Sequence, residues 1–293
     1  MSSWAKGYWE KSTAREIARE YDIYSKQHST YVKTSKKLIS LSGISHCQVV
    51  IDLGVGTGIA TKYLLKHSRQ VERVYCVDFS KEMLSIAKRN INDKKAKFVL
   101  CKAEEISRHI PEKADGIISN AVFQYVDLDQ VLRESNKILS SRGIITFNIW
   151  PSWFKEVKQN KRTALFFEIF YRNMNAIARE KGFKSSFDYR FELGSRSVFS
   201  AKSVLSSLSK NGFKLLKYQN ISIDRSPKEI LDFLKLQIIA KHRLPNIPQP
   251  TREKILDEAM ERTIKKFGNR SVTHKWPYFV AQAKQGIKLA NKF

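Results

Sequence analysis

The sequence has few of the features that mark secreted, membrane-spanning or metal-binding proteins. Only three cysteines occur in 293 residues, Cys47, Cys76 and Cys101. They lack metal-type pairing, so no metal site is expected, and their odd number favours a reduced chain. No apolar run approaches the roughly 18 residues that a membrane span needs, and the polar segment at 1–20 does not resemble a secretory signal. These absences predict a cytoplasmic globular protein.

Acidic residues are scarce relative to basic ones. There are 28 Asp and Glu against 53 Lys and Arg, a formal net charge of +25. Such an excess favours an anionic partner, whether nucleic acid, an anionic membrane surface or an acidic protein. Residues 1–150 contribute 24 basic and 16 acidic side chains (+8), and residues 151–293 contribute 29 and 12 (+17). The excess is therefore concentrated in the second half.

Residues 46–150 alternate short apolar runs with amphipathic segments. Runs such as VERVYCVDF and KFVLCKA hold four to six apolar residues, which is typical of strands buried on both faces. This alternation predicts a doubly wound, Rossmann-like α/β fold with a mainly parallel sheet. We expect three parts: an N-terminal helical lid (1–44), a cofactor-binding core (45–150), and a helical cap with the last strands of the same sheet (151–293). Within the cap, patterns at 152–182 and 227–267 predict helices between the late strands.

A glycine-rich turn follows the first apolar run, in VVIDLGVGTGIAT at 49–61. Gly54, Gly56 and Gly58 allow a tight turn in which backbone N–H groups approach a ligand. Twenty residues past Gly58, Asp78 ends the next predicted strand, where its carboxylate can accept hydrogen bonds from ribose hydroxyls. Asp52 would repel a pyrophosphate but could receive an ammonium group. The ligand that satisfies all these residues is S-adenosylmethionine.

The segment 45–150 resembles the class I S-adenosylmethionine-dependent methyltransferases, and the likeness extends more loosely to the C-terminus. DLGVGTG, CVDFSKEML and CKAEEI are similar to the first three motifs of that family. The resemblance implies a seven-stranded sheet and S-adenosyl-L-homocysteine as the product. It also implies cofactor contacts for the methionine part from Asp52, Gly54, Gly56 and Gly58, for the ribose from Asp78, and for the adenine from Phe79.

The third motif departs from the family pattern. The family commonly places an acid followed by Ala at the adenine edge, whereas Lys102 stands at the acid position here. Ala103 and Glu104 are the candidates to replace that contact. The alternative interpretation of these two residues is an ordinary strand-to-helix turn.

The segment SNAVFQYV at 119–126 is similar to that of the trans-aconitate and malonyl-carrier-protein methyltransferases, which esterify carboxylates. The resemblance implies that the chain at Asn120 lies beneath the sulfonium. It also implies an anionic small-molecule acceptor, free or bound to an acidic carrier protein. Methylases of nucleic-acid amines carry [DNS]-P-P-[YF] at this place, and the absence of both prolines here argues against base N-methylation.

The catalytic residues are not evident from the sequence. A carboxylate acceptor is already ionised and requires no general base, whereas a hydroxyl or amine would require one, for which histidine is the first candidate. His28 is spaced with Tyr24 and Tyr31 on one predicted helical face, which either covers the acceptor or packs on the sheet. Phe123 and Trp150 are further candidates for acceptor contacts.

Two alternatives remain open at this point. The net charge alone motivates an RNA or tRNA methyltransferase, although no added RNA-binding module is recognisable. A non-catalytic protein that binds S-adenosylmethionine has the same glycine loop.

The aromatic residues of the cap either line an apolar tunnel for the acceptor or form the packed core of the cap.

Overall fold

The computed structural model describes residues 14–155, 159–185, 187 and 199–284. Seven strands form one sheet in the order β3-β2-β1-β4-β5-β7-β6. Strands β1 to β5 are parallel, and β7 runs antiparallel to both β5 and β6. The strands are β1 (Val49–Leu53), β2 (Arg73–Asp78), β3 (Ala96–Leu100), β4 (Ala114–Ser119), β5 (Leu139–Asn148), β6 (Phe213–Arg225) and β7 (Val272–Ala283). The predicted doubly wound, mainly parallel sheet is confirmed.

Helices precede the sheet, connect its strands and form the cap. Before the sheet lie α1 (Ala14–Gln27) and α2 (Thr30–Ser42). The connections within the core are α3 (Ile59–His67), α4 (Lys81–Ile91) and α5 (Leu128–Ile138). Between the late strands lie α6 (Lys161–Glu180), α7 (Ala201–Lys210), α8 (Pro227–Lys235), α9 (Gln237–Arg243) and α10 (Gln249–Phe267). No helix in these described stretches is long and apolar enough to cross a membrane.

The hydrophobic core is divided between the sheet and the cap. Buried residues of the strands pack against the connecting helices on both faces of the sheet. A separate cluster joins α1, α6 and α8 to α10, and it contains the aromatic residues Phe166, Phe167, Phe170 and Tyr171. None of these four lines the central cavity at the strand ends. Their side chains are therefore core of the cap and not a tunnel for the acceptor.

Two predictions about individual elements were wrong. The run KFVLCKA does not form a strand buried on both faces, because β3 is the outermost strand of the sheet and Leu100 is 53% exposed. The pattern at 152–182 predicts one helix, but α6 begins only at Lys161, where the Asn160 side chain accepts a hydrogen bond from the Thr163 N–H. Residues 156–158 of that pattern lie outside the described residues. The division into lid, core and cap at residues 44 and 150 stays a prediction.

The last glycine of the loop is required by the packing of α3 on α4. Gly58 has φ +93°, and a Cβ there would stand 2.9 Å from Ile91 Cγ1 and 3.4 Å from the Ala87 backbone. A left-handed conformation and a steric overlap therefore coincide at this residue.

We expect Gly58→Ala to lower the free energy of unfolding by about 2–4 kcal/mol, since backbone strain and overpacking each cost on the order of 1–2 kcal/mol. The control is Gly43→Ala, because Gly43 has φ +71° but a Cβ added there would meet nothing within 4 Å. That control should lose only about 1 kcal/mol, as measured by urea denaturation. If both variants lost the same free energy of unfolding, steric overlap with Ile91 and Ala87 would not be a cause of the loss in Gly58→Ala.

Candidate functional site

A central cavity lies at the carboxyl ends of β1, β2 and β4, where ligands bind in open α/β sheets. Its floor comes from the strand ends and the loops that follow them, and its cover comes from α1, α2 and the cap. The predicted site residues that line it are Tyr31, Asp52, Gly54, Gly56, Asp78, Phe79, Ala103, Glu104, Asn120 and Trp150. Most of the residues proposed from sequence are thus gathered around one space.

Asp78 lies at the end of β2 and is held by backbone N–H groups. Its Oδ2 accepts a hydrogen bond from the Gly56 N–H (3.0 Å), and its Oδ1 accepts one from the Ser80 N–H (2.9 Å). The side chain is buried, and desolvation raises its pKa to about 6 despite these hydrogen bonds. Asp78 therefore connects the glycine loop to β2 while it faces the cavity.

Asp52 occupies the equivalent place at the end of the neighbouring β1. Its Oδ2 accepts hydrogen bonds from the Thr61 N–H (3.1 Å) and the Thr61 hydroxyl (2.6 Å), which orients the first turn of α3. Burial raises the pKa of Asp52 to about 6, and the nearby Asp78 carboxylate contributes to that shift. A cation in the cavity would relieve this repulsion between two buried carboxylates.

Within the glycine loop, Gly56 leaves open space in which a bound nucleoside would fit. A Cβ at Gly56 would meet only the Gly54 carbonyl oxygen, at 4.0 Å, so the space beside the backbone is open to the cavity. Gly54 lines the cavity too, but it lies against the Val122 side chain. Gly58 does not line the cavity. Its close approach to α4 gives Gly58 a packing role, and the cofactor contact expected of it stays a prediction.

The predicted adenine side of the cavity is formed by Phe79 and the turn after β3. Phe79 is 37% exposed and lines the cavity together with Lys102, Ala103 and Glu104. Glu104 Oε1 also accepts a hydrogen bond from the Asp127 N–H (3.2 Å), at the start of α5. Glu104 thus combines the two roles considered for it, since it faces the cavity and also stabilises a turn.

The Asn120 side chain holds α2 against the end of β4. Its Nδ2 donates hydrogen bonds to Thr34 Oγ1 (3.0 Å) and Ser35 Oγ (2.9 Å), and its Oδ1 accepts one from Asn148 Nδ2 (2.8 Å). Asn120 lines the cavity, but these three bonds engage both ends of its amide. The Asn120 side chain therefore positions α2, and the expectation that the chain at Asn120 lies beneath the sulfonium stays a prediction.

Three predicted acceptor or catalytic residues do not line the cavity: Tyr24, His28 and Phe123. Phe123 is fully buried and stacks on Phe147 at 4.1 Å between ring centroids. The turn at Phe123–Tyr125 is a 3₁₀ helix, in which successive side chains point about 120° apart. Phe123 therefore enters the core, whereas Tyr125 faces the cavity.

The predicted single helical face of Tyr24, His28 and Tyr31 is interrupted. Helix α1 ends at Gln27, and α2 begins at Thr30, whose N–H donates to Glu229 Oε1 (2.9 Å). This buried carboxylate satisfies a donor at the start of α2 and stabilises the break. Tyr24 is consequently buried against Arg225, and His28 Nε2 lies 2.8 Å from Asp232 Oδ2 on α8. The structure does not place His28 as a general base.

The side of the cavity away from the glycine loop contains residues that the sequence patterns did not identify. They are Tyr21, Gln124, Tyr125, Phe233, Ile238 and Ile239. Trp150, which was identified, stacks on Phe233 at 4.8 Å between ring centroids. Tyr125 lies within the segment SNAVFQYV, so the resemblance of that segment to known methyltransferases could have indicated Tyr125 as a cavity residue. Phe233 and the two isoleucines come from α8 and α9, and no local pattern indicates that these helices reach the cavity.

Helix α1 connects the core to the cap above the cavity. Towards the core, Ser25 Oγ lies 3.2 Å from Thr57 Oγ1, and Asp22 Oδ1 accepts a hydrogen bond from Asn90 Nδ2 (2.8 Å). Towards the cap, Glu20 Oε2 accepts one from the N–H of Gln237 (2.7 Å). Apolar side chains of α1 also pack on both sides, Ile17 and Tyr24 in the cluster of the cap and Ala18 against Met83 and Ile86, so α1 joins the two parts above the cavity.

Comparison with known proteins agrees with this geometry. Residues 51–147 match the family described as a methyltransferase domain. Residues 51–147 are therefore similar to a methyltransferase domain, and the mainly parallel sheet with a cavity at its strand ends agrees with that similarity.

The relatives identify more specific similarities. A malonyl-[acyl-carrier protein] O-methyltransferase from Acetivibrio thermocellus is 30% identical over 149 residues, which cover 50% of this chain and 51% of that protein. One from Halalkalibacterium halodurans is 25% identical over 165 residues, which cover 53% of this chain and 60% of that protein. The chain thus spans only about half to 60% of the length of these relatives. A Bacillus halodurans C-125 protein assigned as a methyltransferase shares the fold at 12% identity, with 86% of this chain and 99% of that chain covered and a TM-score of 0.54.

Affinity for S-adenosylhomocysteine should depend on pH through the two buried carboxylates. The pKa values of Asp52 and Asp78 are both raised to about 6. Above about pH 7 both groups are charged and accept hydrogen bonds, whereas below about pH 6 each takes up a proton that ligand binding must displace. We expect the dissociation constant to rise as the pH falls from about 7 to about 5, by up to about tenfold per unit for each group. Isothermal titration calorimetry measures it, and a constant affinity over this range would contradict the assignment.

Helix α1 should become more protected when S-adenosylhomocysteine binds. Helix α1 covers the cavity, so a ligand bound beneath it stabilises the closed position of α1, and the amide hydrogens of α1 should exchange more slowly. Hydrogen–deuterium exchange with mass spectrometry compares the free and bound protein. Helix α10, which does not line the cavity, serves as the internal reference. Unchanged exchange in α1 would show that it is not a lid.

Proposed function

We propose that the protein transfers a methyl group from S-adenosylmethionine to a small acceptor that carries a carboxylate or another anionic group. The observation that supports this most directly is the composition of the cavity wall. Among the described residues that line it there is no histidine, and its ionisable groups on the cofactor side are Asp52, Asp78, Cys101, Lys102 and Glu104. Away from that side, the ionisable groups of the wall are the phenols of Tyr21, Tyr31 and Tyr125, so an acceptor there would find neither a histidine nor a carboxylate beside it.

The cofactor side has a role for each group that faces it. In this proposal Asp78 accepts hydrogen bonds from the ribose hydroxyls, Gly56 gives the ligand room beside the backbone, and Asp52 faces the ammonium group. Phe79 covers the adenine, and the turn at Ala103 and Glu104 borders its edge. The bound cofactor supplies an electrophilic methyl group, whose transfer to a carboxylate oxygen leaves the C–S bonding electrons on sulfur and moves no proton.

The chain's own contribution to the reaction is then placement and exclusion of water. Trp150 and Phe233 stack face to face at the cavity wall, and Ile238 and Ile239 add an apolar surface. With α1 closed above it, this wall separates the acceptor from solvent. A carboxylate that loses part of its hydration becomes a better nucleophile in such an environment.

The basic cap supports an anionic acceptor, and the relatives support a carrier-bound one. Residues 151–293 carry 29 basic and 12 acidic residues, and two relatives are named for a malonyl-carrier substrate. We therefore include an acidic carrier protein among the proposed partners. Not every basic residue of the cap is available to an anionic acceptor or carrier, since Arg243 packs on Tyr171 and donates a hydrogen bond to its hydroxyl (3.0 Å). We propose a cytoplasmic location, which agrees with three buried free cysteines.

A methyl-transfer assay over acceptor classes tests the proposal. Purified protein with labelled S-adenosylmethionine is offered trans-aconitate, malonyl-pantetheine, octanoate, a phenol, a primary amine and bulk tRNA. We expect label only in the base-labile methyl esters of the acids.

Asp78→Asn should weaken S-adenosylhomocysteine binding by at least about 100-fold, because hydrogen bonds to a buried charge are lost. The control is Asp93→Asn, an exposed residue just before β3.

Each outcome of this assay is informative. Label in tRNA would support the nucleic-acid alternative, and label in the phenol or the amine would contradict the acceptor class. Tight binding of S-adenosylhomocysteine without transfer to any of these acceptors would favour the non-catalytic alternative. No binding of S-adenosylhomocysteine by the unmodified protein would contradict the proposed function itself.

A further inference from the structure

Three tyrosine side chains from separate parts of the chain line the central cavity. Tyr21 comes from α1, Tyr31 from α2, and Tyr125 from the 3₁₀ turn after β4. They share the cavity wall with Trp150 and Phe233, and are distinct from the glycine loop and the adenine side. Nothing in the sequence spacing relates Tyr125 to the other two, so only the fold brings them together.

The phenol groups are close enough to affect each other. Burial is the largest cause that raises the pKa of Tyr21 and of Tyr31 well above the usual value, and the Tyr125 hydroxyl contributes to both shifts. Tyr21 and Tyr31 therefore keep their protons throughout the neutral range. A protonated phenol in a cavity is a hydrogen-bond donor and not a base.

A buried cation stands behind this part of the wall. The guanidinium of Arg225 lies 5.8 Å from the Trp150 ring centroid and 5.1 Å from that of Phe233. Its Nη2 donates to the Tyr24 hydroxyl (3.1 Å), and its Nε has no hydrogen-bond partner among the described residues. The nearby Glu229 carboxylate accepts hydrogen bonds from Thr30. The Arg225 charge opposes only in part the rise that burial causes in the pKa of Tyr31, and it lies behind the Trp150 and Phe233 rings of the cavity wall.

We propose that Tyr21, Tyr31 and Tyr125 form a hydroxyl cluster that binds the oxygen atoms of the acceptor's carboxylate and so determines the specificity of the enzyme. This rests on the proposed function, and it deepens that proposal by assigning residues to the acceptor. The hydroxyl groups donate hydrogen bonds to one part of the carboxylate while an oxygen remains available to the methyl group. No proton is transferred, because phenols and carboxylate keep their protonation states.

Ester and acid analogues distinguish this role from simple packing. A methyl ester has the shape of the acid but not its charge, so hydroxyl donors and the field of Arg225 bind it more weakly. Aromatic packing alone would treat the acid and the ester nearly alike. The ratio of acid affinity to ester affinity therefore reports on the cluster.

The experiment titrates octanoate, trans-aconitate and malonyl-pantetheine, with their methyl esters, into protein saturated with S-adenosylhomocysteine. Isothermal titration calorimetry compares unmodified protein with Tyr21→Phe, Tyr31→Phe and Tyr125→Phe. We expect each substitution to weaken binding of the best acid by about 10- to 100-fold, and to change ester binding by less than about threefold. Affinity for S-adenosylhomocysteine should stay within about twofold of that of the unmodified protein.

The matched control is Tyr63→Phe, since Tyr63 lies on α3 outside the cavity and stacks on His67. It should leave all affinities unchanged. Acid affinities unaltered in all three cavity variants, or no acid bound by the unmodified complex, would overturn the hydroxyl cluster. Equal losses for acid, ester and S-adenosylhomocysteine would show a structural role and would overturn it too. Failure of the proposed function is separate, because it appears as absent S-adenosylhomocysteine binding in the unmodified protein.

Discussion

The site depends on two buried carboxylates at adjacent strand ends. Asp52 and Asp78 follow neighbouring parallel strands, so they reach the same edge of the sheet, and burial raises the pKa of each to about 6. Their charges are compensated by backbone N–H groups of the glycine loop and of the helix that follows it. The path of the loop, the start of α3 and the position of the cavity are all consequences of this compensation.

The acceptor side is built differently, by elements distant in the sequence. Helix α1 bonds to Thr57 and Asn90 in the core and to Gln237 in the cap. The helices over the cavity, including α1 through Ile17 and Tyr24, pack in a hydrophobic cluster separate from the two clusters of the sheet. A rigid cofactor edge and a separately packed cover are compatible with one methyl donor and many different acceptors.

The sequence predictions were more accurate for the strand ends and the glycine loop than for the helices that cover the cavity. The sheet, the glycine loop and Asp78 were predicted correctly as to position, because they depend on local strand–turn–helix chemistry. Phe123 was assigned to the wrong surroundings, since its ring is buried against Phe147, and the packing of Gly58 on Ile91 was not predicted. The single helix predicted to carry Tyr24, His28 and Tyr31 is broken because Glu229, about 200 residues away, stabilises a second helix start, although the Tyr24 ring still contacts the other two rings.

The sequence by itself determined the fold class, the cofactor edge and the excess of basic residues in the second half. These features are encoded by hydrophobic periodicity, turn chemistry and composition, which act over short stretches of chain. Only the tertiary structure decided which side chains line the cavity opposite the glycine loop. Tyr21, Tyr31, Tyr125 and Phe233 meet because the packing of α1, α2 and α8 over the strand ends brings them to one cavity. Contacts of that range depend on the whole fold, and no local pattern in the sequence specifies them.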